Sequence, residues 1–328
     1  MGNGRKQEPP RTRALASIEQ SRPGLLELDR FSEAHLAHWK RLSGDLDELN
    51  GLLYYGVEPQ RQRHQTGRIE ALQSVEPVTL SFSRSVRLVT WRYTNDPLSA
   101  AGSLTSIGGR FNIGVDVDGS MHAPWPALYI GEDFETGYRE KFQLERGAQV
   151  DGLSPTDLAL DPGGSFSAVC LDGHLERVFD FDQPGALDAL CAVLRKMHLP
   201  ADVRGVQRRL QISDRTVFMI NTVSRLRAEA LDRNWRVLPV QFGLPSPSQI
   251  LAGLVLDAGF EAIRYPSTKG GGHCLAVFPH KLTSDESYVS LSDQPPTEIK
   301  HTRLDMTTAD GLCGWEMLRP SQRPGREG

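Results

Sequence analysis

Residues 248–278 read SQILAGLVLDAGFEAIRYPSTKGGGHCLAVF, and they contain the plainest local structure in the chain. In 248–259 the apolar residues recur at three- and four-residue steps and a glycine ends the pattern, which predicts an amphipathic helix. Two short segments follow, 262–265 and 274–278, and their residues predict strands. The glycine-rich segment 267–272 joins these strands. Helix and strand therefore both occur in the part of the sequence that is easiest to interpret.

The composition is that of a globular protein. The chain has 328 residues, of which 39% are hydrophobic and 24% charged, and it is long enough for two domains or one elaborated domain. The formal net charge is −4 and no long basic block is present, so we expect no nucleic-acid partner. No stretch approaches the roughly 18 apolar residues of a membrane span, so we expect no membrane association.

The cysteines and histidines favour a reducing compartment without a metal site. The four cysteines lie far apart and form no CxxC pair. This pattern is typical of reduced thiols, so a cytoplasmic location is predicted. His122, His273 and His280 lack metal-ligand spacing, and we expect neither a metal nor a bound cofactor. The cysteines are Cys170, Cys191, Cys274 and Cys313.

The N-terminal part divides into a leader and a helical extension. Residues 1–23 are polar and rich in Arg and Pro, which predicts a disordered leader without the apolar core of a signal peptide. Residues 24–76 predict helices, with a break into two helices at Ser43-Gly44-Asp45, where Asp45 is a candidate N-cap. We expect their apolar stripe to pack on the main domain or to join copies of the chain in a homo-oligomer. The stripe includes Trp39, Leu42, Leu46 and Leu49.

The pattern changes after Pro77. Residues 78–90 are rich in β-branched residues and predict a strand. Residues 95–114 are rich in Gly, Ser and Asn and predict a loop, and Asp118-Gly119 predicts a hairpin turn. A short apolar strand is expected at 127–130, followed by a helix at 133–146.

Four separated segments carry residues suited to chemistry. They are Trp91-Arg92-Tyr93, Gly108-Gly109-Arg110-Phe111-Asn112, Leu128-Tyr129-Ile130-Gly131 with Glu140 in the following helix, and Tyr265-Pro266-Ser267. In this order and spacing the set resembles the RES domain family, which is named for its Arg, Glu and Ser. The resemblance covers about residues 85–150 and 248–280.

The resemblance implies a fold and an activity. RES domains are similar to the ADP-ribosyltransferase fold, so we expect an α+β chain with packed mixed β-sheets surrounded by helices and with an N-terminal helical extension. Members of the family act as toxins of toxin–antitoxin pairs and consume NAD⁺. Some transfer the ribosyl group to inorganic phosphate, some hydrolyse the bond, and some have been linked to protein ADP-ribosylation. The implied partners are NAD⁺ as substrate, phosphate and a cognate antitoxin protein.

The resemblance also implies roles for individual residues and a domain organisation. The implied catalytic residues are Glu140, Arg92 and Ser267, and the implied NAD⁺-binding residues are Arg92, Tyr93, Arg110, Tyr129 and Ser267. The sequence departs from compact members by its N-terminal extension and by a long stretch before Ser267. We therefore expect a RES-like catalytic domain at 77–290, with an insertion at about 150–245 and a polar tail at 291–328.

The chemistry of the same residues fits a dinucleotide. A guanidinium offers donors in a planar fork that suits phosphate oxygens, which favours Arg92 and Arg110 as phosphate ligands. Aromatic faces stack on the flat, cationic nicotinamide ring, which favours Tyr93 and Tyr129. The alternative interpretations are a surface salt bridge for each arginine and core packing for Tyr129.

Glu140 and Ser267 complete the predicted site. Cleavage of the nicotinamide–ribose bond builds positive charge on the sugar, and a nearby carboxylate stabilises that charge. Thr136 and Gly137 precede Glu140 by one helical turn and are small enough to let a substrate approach. Ser267 can bind phosphate or the nicotinamide amide but lacks a His–Asp pair that would make it a nucleophile. A turn serine, a solvated Glu140, and Glu132 or Glu135 as the reactive carboxylate are the alternatives.

We therefore predict an enzyme that cleaves the nicotinamide–ribose bond of NAD⁺ by phosphorolysis or hydrolysis. Transfer of ADP-ribose to a protein in the same site is the second hypothesis. The third is an inactive RES-like module that binds a nucleotide or a partner protein. The intact set of implied site residues argues against the third hypothesis.

Overall fold

The computed structural model describes residues 33–120, 122–144, 165–213, 215–314 and 317. For residues 33–36 and Arg92 only the backbone is described. The predicted leader at 1–23, the first part of the predicted insertion and the end of the predicted tail lie outside these residues.

Groups of helices and groups of strands alternate along the chain. The helices are α1 (Glu33–Tyr54), α2 (Glu58–Arg63), α3 (Gln65–Gln73), α4 (Phe134–Phe142), α5 (Asp188–Leu194), α6 (Val203–Arg209), α7 (Val223–Ala230), α8 (Val237–Phe242), α9 (Pro247–Asp257) and α10 (Ala309–Cys313). The strands are β1 (Val78–Thr90), β2 (Gly108–Gly109), β3 (Asn112–Ile113), β4 (Leu128–Gly131), β5 (Phe166–Asp180), β6 (Ala262–Pro266), β7 (His273–Val277), β8 (Tyr288–Leu291) and β9 (Arg303–Leu304). Short 3₁₀ turns lie at Trp91–Tyr93, Ala101–Leu104 and Pro279–Lys281.

Strands β1 and β5 organise the main sheet. Its seven strands have the order β1-β4-β7-β6-β5-β8-β9, in which β5 and β6 are parallel and the other neighbours antiparallel. β1 pairs with β5 along most of its length as well as with β4, so the sheet closes on itself. A bulge interrupts this pairing beside Arg84, whose backbone has a φ of 53°. Strands β2 and β3 form a separate hairpin.

Apolar side chains cover both faces of the main sheet. Ile263 and Ala276 lie in one hydrophobic cluster, whereas their neighbours Ala262 and Val277 lie in a second cluster on the opposite face. Helices α3, α5, α7 and α9 contribute to the first cluster, and α10 contributes to the second. The predicted α+β class with a mixed sheet is therefore confirmed. The expected pair of packed sheets appears as one sheet that closes on itself, because β1 and β5 span 13 and 15 residues and reach several neighbours.

A hydrogen-bonded helix start connects α9 to the β2–β3 hairpin. Ser246 and Gln249 form a capping box at the N-terminus of α9. The buried Gln249 amide nitrogen also donates to the carbonyl oxygens of Ile107, Gly109 and Asn112 at 2.9, 3.0 and 2.9 Å. These contacts fix the hairpin against the main core.

From Glu33 onward the N-terminal extension is helical, as predicted, but α1 does not break at Ser43-Gly44-Asp45. It continues as one helix of 22 residues. The reason is that Asp45, the expected N-cap, accepts a hydrogen bond from Arg209 of α6 at 2.7 Å instead of capping a second helix. An ion pair between segments distant in sequence replaces the local cap.

The apolar stripe of α1 is only partly buried. Leu49 is buried, but the exposed fractions of Trp39 and Leu46 are 61% and 43%, so this part of the stripe does not pack on the main domain, and its contact with a second copy of the chain stays a prediction. The core instead receives Ala71 and Leu72 from α3, the helix nearest to the sheet in sequence. The extension thus joins the domain mainly through its C-terminal helix.

The hairpin predicted at Asp118-Gly119 does not form in the described part of the chain. A hairpin instead connects β2 and β3. Gly109 pairs with Asn112, so the two-residue turn between β2 and β3 consists of Arg110 and Phe111. Around Asp118 the described residues form no strand, and its carboxylate accepts hydrogen bonds from the Ser120 backbone and the Tyr55 hydroxyl at 2.8 and 2.6 Å. A side-chain-stabilised turn explains the composition of this segment.

Candidate active site

A cavity of about 440 Å³ lies where β1, β4, α4 and the β2–β3 hairpin meet. This volume is within the range of small-molecule sites. The basic side chains on its wall outnumber the acidic ones, Glu140 and Asp96. A cavity with this balance favours an anionic ligand. The basic residues are Arg87, Arg110, Lys141 and Arg236.

Glu140 is positioned by helix α4 and by the glycine-rich segment after β6. Helix α4 packs directly against β4, because a Cβ atom on Gly131 would lie 2.6 Å from the backbone nitrogen of Gly137. Glu140 Oε1 accepts hydrogen bonds from the Ser267 hydroxyl and the Thr268 backbone, both at 2.7 Å. Its other oxygen, Oε2, makes no hydrogen bond with the described residues. One oxygen is thus fixed by the protein, and no described residue fixes the other.

Ser267 contacts Glu140 and also organises its own turn. Its hydroxyl oxygen accepts hydrogen bonds from the backbone of Lys269 and Gly270 at 3.2 and 2.9 Å while its proton points to Glu140. The structure therefore brings Ser267 to the predicted catalytic carboxylate. In this arrangement Ser267 orients Glu140.

Arg110 connects the hairpin to two other segments. Its buried guanidinium donates from Nη1 to the Asp232 carbonyl at 2.7 Å and from Nη2 to the Thr268 hydroxyl at 2.9 Å. It also lies 5.8 Å from the ring centroid of Trp235. Because Thr268 binds Glu140, Arg110 stabilises the surroundings of the carboxylate as well as the positive potential of the cavity.

Tyr129 lines the cavity with its ring and holds the hairpin with its hydroxyl. The hydroxyl accepts from the Phe111 backbone and donates to Asn112 Oδ1, each at 2.9 Å. Burial raises the pKa of Tyr129 well above its ordinary value. A Cβ atom on Gly109 would lie 2.3 Å from this hydroxyl, which explains the glycine at that position.

The 3₁₀ turn after β1 brings the remaining predicted residues toward the cavity. Tyr93 is half-buried and lies on the cavity wall. The backbone of Arg92 belongs to the same turn, and its side chain lies outside the described atoms. The structure thus places Tyr93, Arg110, Tyr129 and Glu140 around one cavity.

Arg87 is a basic residue of this cavity that the sequence analysis missed. Its guanidinium donates to the carbonyls of Tyr129 and Ser99 at 3.3 and 2.7 Å. Its Nε atom is buried without a hydrogen-bond partner, and no acidic group of the described chain forms a salt bridge with it. Burial lowers the pKa of Arg87 to about 10. The available signal was an arginine between apolar residues in the middle of a predicted strand.

Lys141 and Arg236 were also missed. Lys141 Nζ donates to the Leu88 carbonyl and the Thr90 hydroxyl at 3.4 and 3.3 Å, and burial together with the nearby Arg87 lowers its pKa to about 8. Arg236 lies over the ring of Trp235 at 4.6 Å, and burial lowers its pKa. Trp235-Arg236 lies in the stretch in which the sequence showed no motif, so only the fold reveals its position.

The two alternative carboxylates have other partners. Glu135 forms an ion pair with Arg139 at 2.9 Å and is exposed. Glu132 accepts a hydrogen bond from the His273 backbone at 2.7 Å. Neither residue lines the cavity. The geometry favours Glu140.

Comparisons with known proteins give one family match and one similar structure. The family model of the RES domain matches residues 185–297. A chain from the crystal structure of the M. tuberculosis MbcT–MbcA toxin–antitoxin complex is similar to this chain with 14% sequence identity and a TM-score of 0.39, over 75% of this chain and 97% of that chain. No curated protein matches the sequence. In the part of the chain that is described, no helix is long and apolar enough to cross a membrane. Residues 185–297 thus match the RES domain, which confirms the predicted resemblance to that family.

Proposed function

We propose that this RES-domain chain is an enzyme that cleaves the nicotinamide–ribose bond of NAD⁺. The observation that carries the proposal is the position of Glu140 in a predominantly basic cavity, with Oε1 bound to Ser267 and Thr268 and with no described residue bound to Oε2. The basic residues suit the two phosphates of a dinucleotide, and the carboxylate suits a sugar that becomes positively charged.

Each part of the substrate has a chemical counterpart in the proposed site. Arg87 and Arg92 bind the phosphates, Arg110 adds positive charge and orders the loop around Glu140, and the rings of Tyr93 and Tyr129 contact nicotinamide. Ser267 keeps Glu140 in place for the sugar. No metal or cofactor is required by this proposal.

The reaction exchanges one bond at the sugar. The bond between ribose C1′ and the nicotinamide nitrogen breaks, and nicotinamide leaves as a neutral molecule with the bonding electron pair. Glu140 stabilises the positive charge that develops on the ribose. An oxygen atom of inorganic phosphate or of water then bonds to C1′, and the water route releases a proton.

Incubation of the purified chain with NAD⁺, with and without phosphate, tests the proposal. Release of nicotinamide, measured by mass spectrometry, is the expected result. The mass of the second product distinguishes ADP-ribose from its phosphorylated form, and ADP-ribose attached to added protein would indicate the transferase hypothesis. Binding of NAD⁺ without nicotinamide release would support the inactive module and overturn the proposal.

Biological partners and location remain predictions. A toxin role, a cognate antitoxin, a homo-oligomer and a cytoplasmic location follow from the family resemblance and the sequence. Co-expression with candidate antitoxins, read as restored growth and restored NAD⁺ levels, tests the toxin role.

A further inference from the structure

A second cavity, of about 240 Å³, lies between the N-terminal extension and the RES domain. Helices α1 and α3 form one side of it, and α5, α7 and α9 form the other. Its walls are almost entirely apolar. They include Leu53, Leu190, Leu194, Met197, Phe218 and Leu251.

One buried guanidinium interrupts the apolar wall. Arg68 is 4% exposed, and its Nη2 atom donates to the Arg61 carbonyl at 2.7 Å. Its Nε atom is buried without a hydrogen-bond partner. No carboxylate of the described residues lies within salt-bridge distance of Arg68, although buried charges are normally paired.

The two carboxylates that act on Arg68, Glu58 and Asp257, form their ion pairs with other residues. Glu58 lies 3.5 Å from Arg61, which also lines the cavity, and Asp257 lies 3.7 Å from His122. Two guanidinium groups, Arg61 and Arg68, thus line this end of the cavity, and the carboxylates of Glu58 and Asp257 lie nearby. Burial and the nearby Arg61 lower the pKa of Arg68 to about 10, and the carboxylates of Glu58 and Asp257 offset only part of this effect.

We propose that this cavity binds an amphipathic carboxylate, with its apolar chain between the helices and its anionic end on Arg68. The apolar walls remove the chain from water, and the negatively charged carboxylate supplies the hydrogen-bond acceptor that Arg68 Nε lacks among the described residues. A neutral apolar molecule would satisfy only the walls. The proposal is independent of the NAD⁺ activity proposed above.

Calorimetry of the full chain with decanoate and 1-decanol tests the proposal, below the micelle concentration of decanoate. The two probes share the apolar chain and differ in charge. Decanoate is expected to bind at least about tenfold more tightly than decanol, because hydrogen bonds to charged groups are the stronger ones. Equal affinities, or no binding of decanoate, would overturn the proposal.

Three variants locate the binding. Arg68→Met should weaken decanoate binding by about tenfold or more and leave decanol binding unchanged. The matched control Arg63→Met removes an exposed arginine outside the cavity wall and should change neither. Met219→Trp places a larger side chain at a half-buried wall position and should abolish binding of both probes.

The remaining outcomes are also decisive. Decanoate binding that Met219→Trp does not reduce lies elsewhere and overturns the proposal, as does an unchanged affinity in folded Arg68→Met. If circular dichroism shows that Arg68→Met does not fold, the difference between decanoate and decanol and the effect of Met219→Trp decide the outcome.

Discussion

The two cavities differ in how the chain arranges their charged groups. In the candidate active site, Arg110 donates to protein oxygens and Glu140 has one oxygen fixed, so the charges hold defined positions before a ligand arrives. Arg68 in the second cavity, like Arg87 in the first, has a buried Nε without a partner among the described residues, but the walls around Arg68 are almost entirely apolar. Pre-arranged polar groups suit a reaction, whereas a buried guanidinium among apolar walls suits the recognition of one ligand group.

One segment connects the two cavities. Leu226 and Leu238 line the second cavity, and Trp235 and Arg236 between them line the first. The extension itself contributes no lining residue of the first cavity among those described. Removing single side chains from either cavity therefore tests how the two cavities differ.

The largest effect is expected for Glu140→Gln. The amide keeps the size of the side chain and an oxygen that can accept from Ser267 and Thr268, but it lacks the charge that faces the sugar. We expect NAD⁺ cleavage to fall by about 10²–10³ in rate, with unchanged thermal unfolding. Glu135→Gln, which removes an exposed carboxylate, is the matched control and should keep native turnover. Near-native turnover in Glu140→Gln would show that another group stabilises the sugar.

A smaller effect is expected for Arg87→Met. The guanidinium has a buried donor that the protein leaves unused, and it lies on the wall of the first cavity. We expect the affinity for NAD⁺ to fall by about tenfold or more, measured by calorimetry in the Glu140→Gln background. Arg84→Met removes an exposed arginine from the same strand and should leave the affinity unchanged. If Arg87→Met does not change the NAD⁺ affinity of the Glu140→Gln protein, Arg87 has a structural role only.

Tyr129→Phe tests whether the Tyr129 hydroxyl holds the β2–β3 hairpin in place, and the free energy of unfolding is the quantity measured. Loss of the hydroxyl leaves the Phe111 N–H and Asn112 Oδ1 each without one partner. We expect the free energy of unfolding, measured with denaturant, to fall by about 1–3 kcal/mol. Tyr55→Phe removes an exposed hydroxyl that binds Asp118 and should cost less than about 1 kcal/mol. Similar losses in both variants would mean that the hairpin is not specifically stabilised by Tyr129.

Local structure could be predicted where its cause is local. The strand at 78–90 and the helix near 248–259 could be predicted because their patterns depend only on residues that are close together in the sequence. The break in α1 was predicted wrongly because the partner of Asp45 is Arg209, which is remote in sequence. Periodicity contains no information about such a pair.

The site was predictable only in part. The grouping of Glu140 with Ser267 followed from the family resemblance, because these residues lie far apart in the chain. Arg87 was missed since its partners are backbone carbonyls of Ser99 and Tyr129, which no side-chain pattern reveals. The apolar cavity around Arg68 likewise depends on how the extension packs against the domain.

The smallest effect concerns Lys141, whose folded pKa of about 8 lies below the ordinary value near 10.4. Below pH 8 the folded and unfolded chains both keep this proton. Between about pH 8 and 10.4 the folded chain has lost it while the unfolded chain retains it, so this residue's contribution to the free energy of unfolding rises with pH. Over the same window the cavity loses a positive charge, and the affinity for anionic NAD⁺ should fall.

Lys141→Met should therefore remove two trends of opposite sign. Relative to this variant, the unmodified chain should gain stability above about pH 8 and lose NAD⁺ affinity by a few fold, because one charge among several is neutralised. Denaturant titrations and calorimetry at pH 7 and 9.5 measure both quantities, and Lys196→Met removes an exposed lysine as the control. A stability trend without an affinity trend would place Lys141 outside the anion-binding part of the cavity. Two trends of the same sign would contradict the assignment of the titrating group to Lys141, because a single depressed lysine pKa cannot produce them.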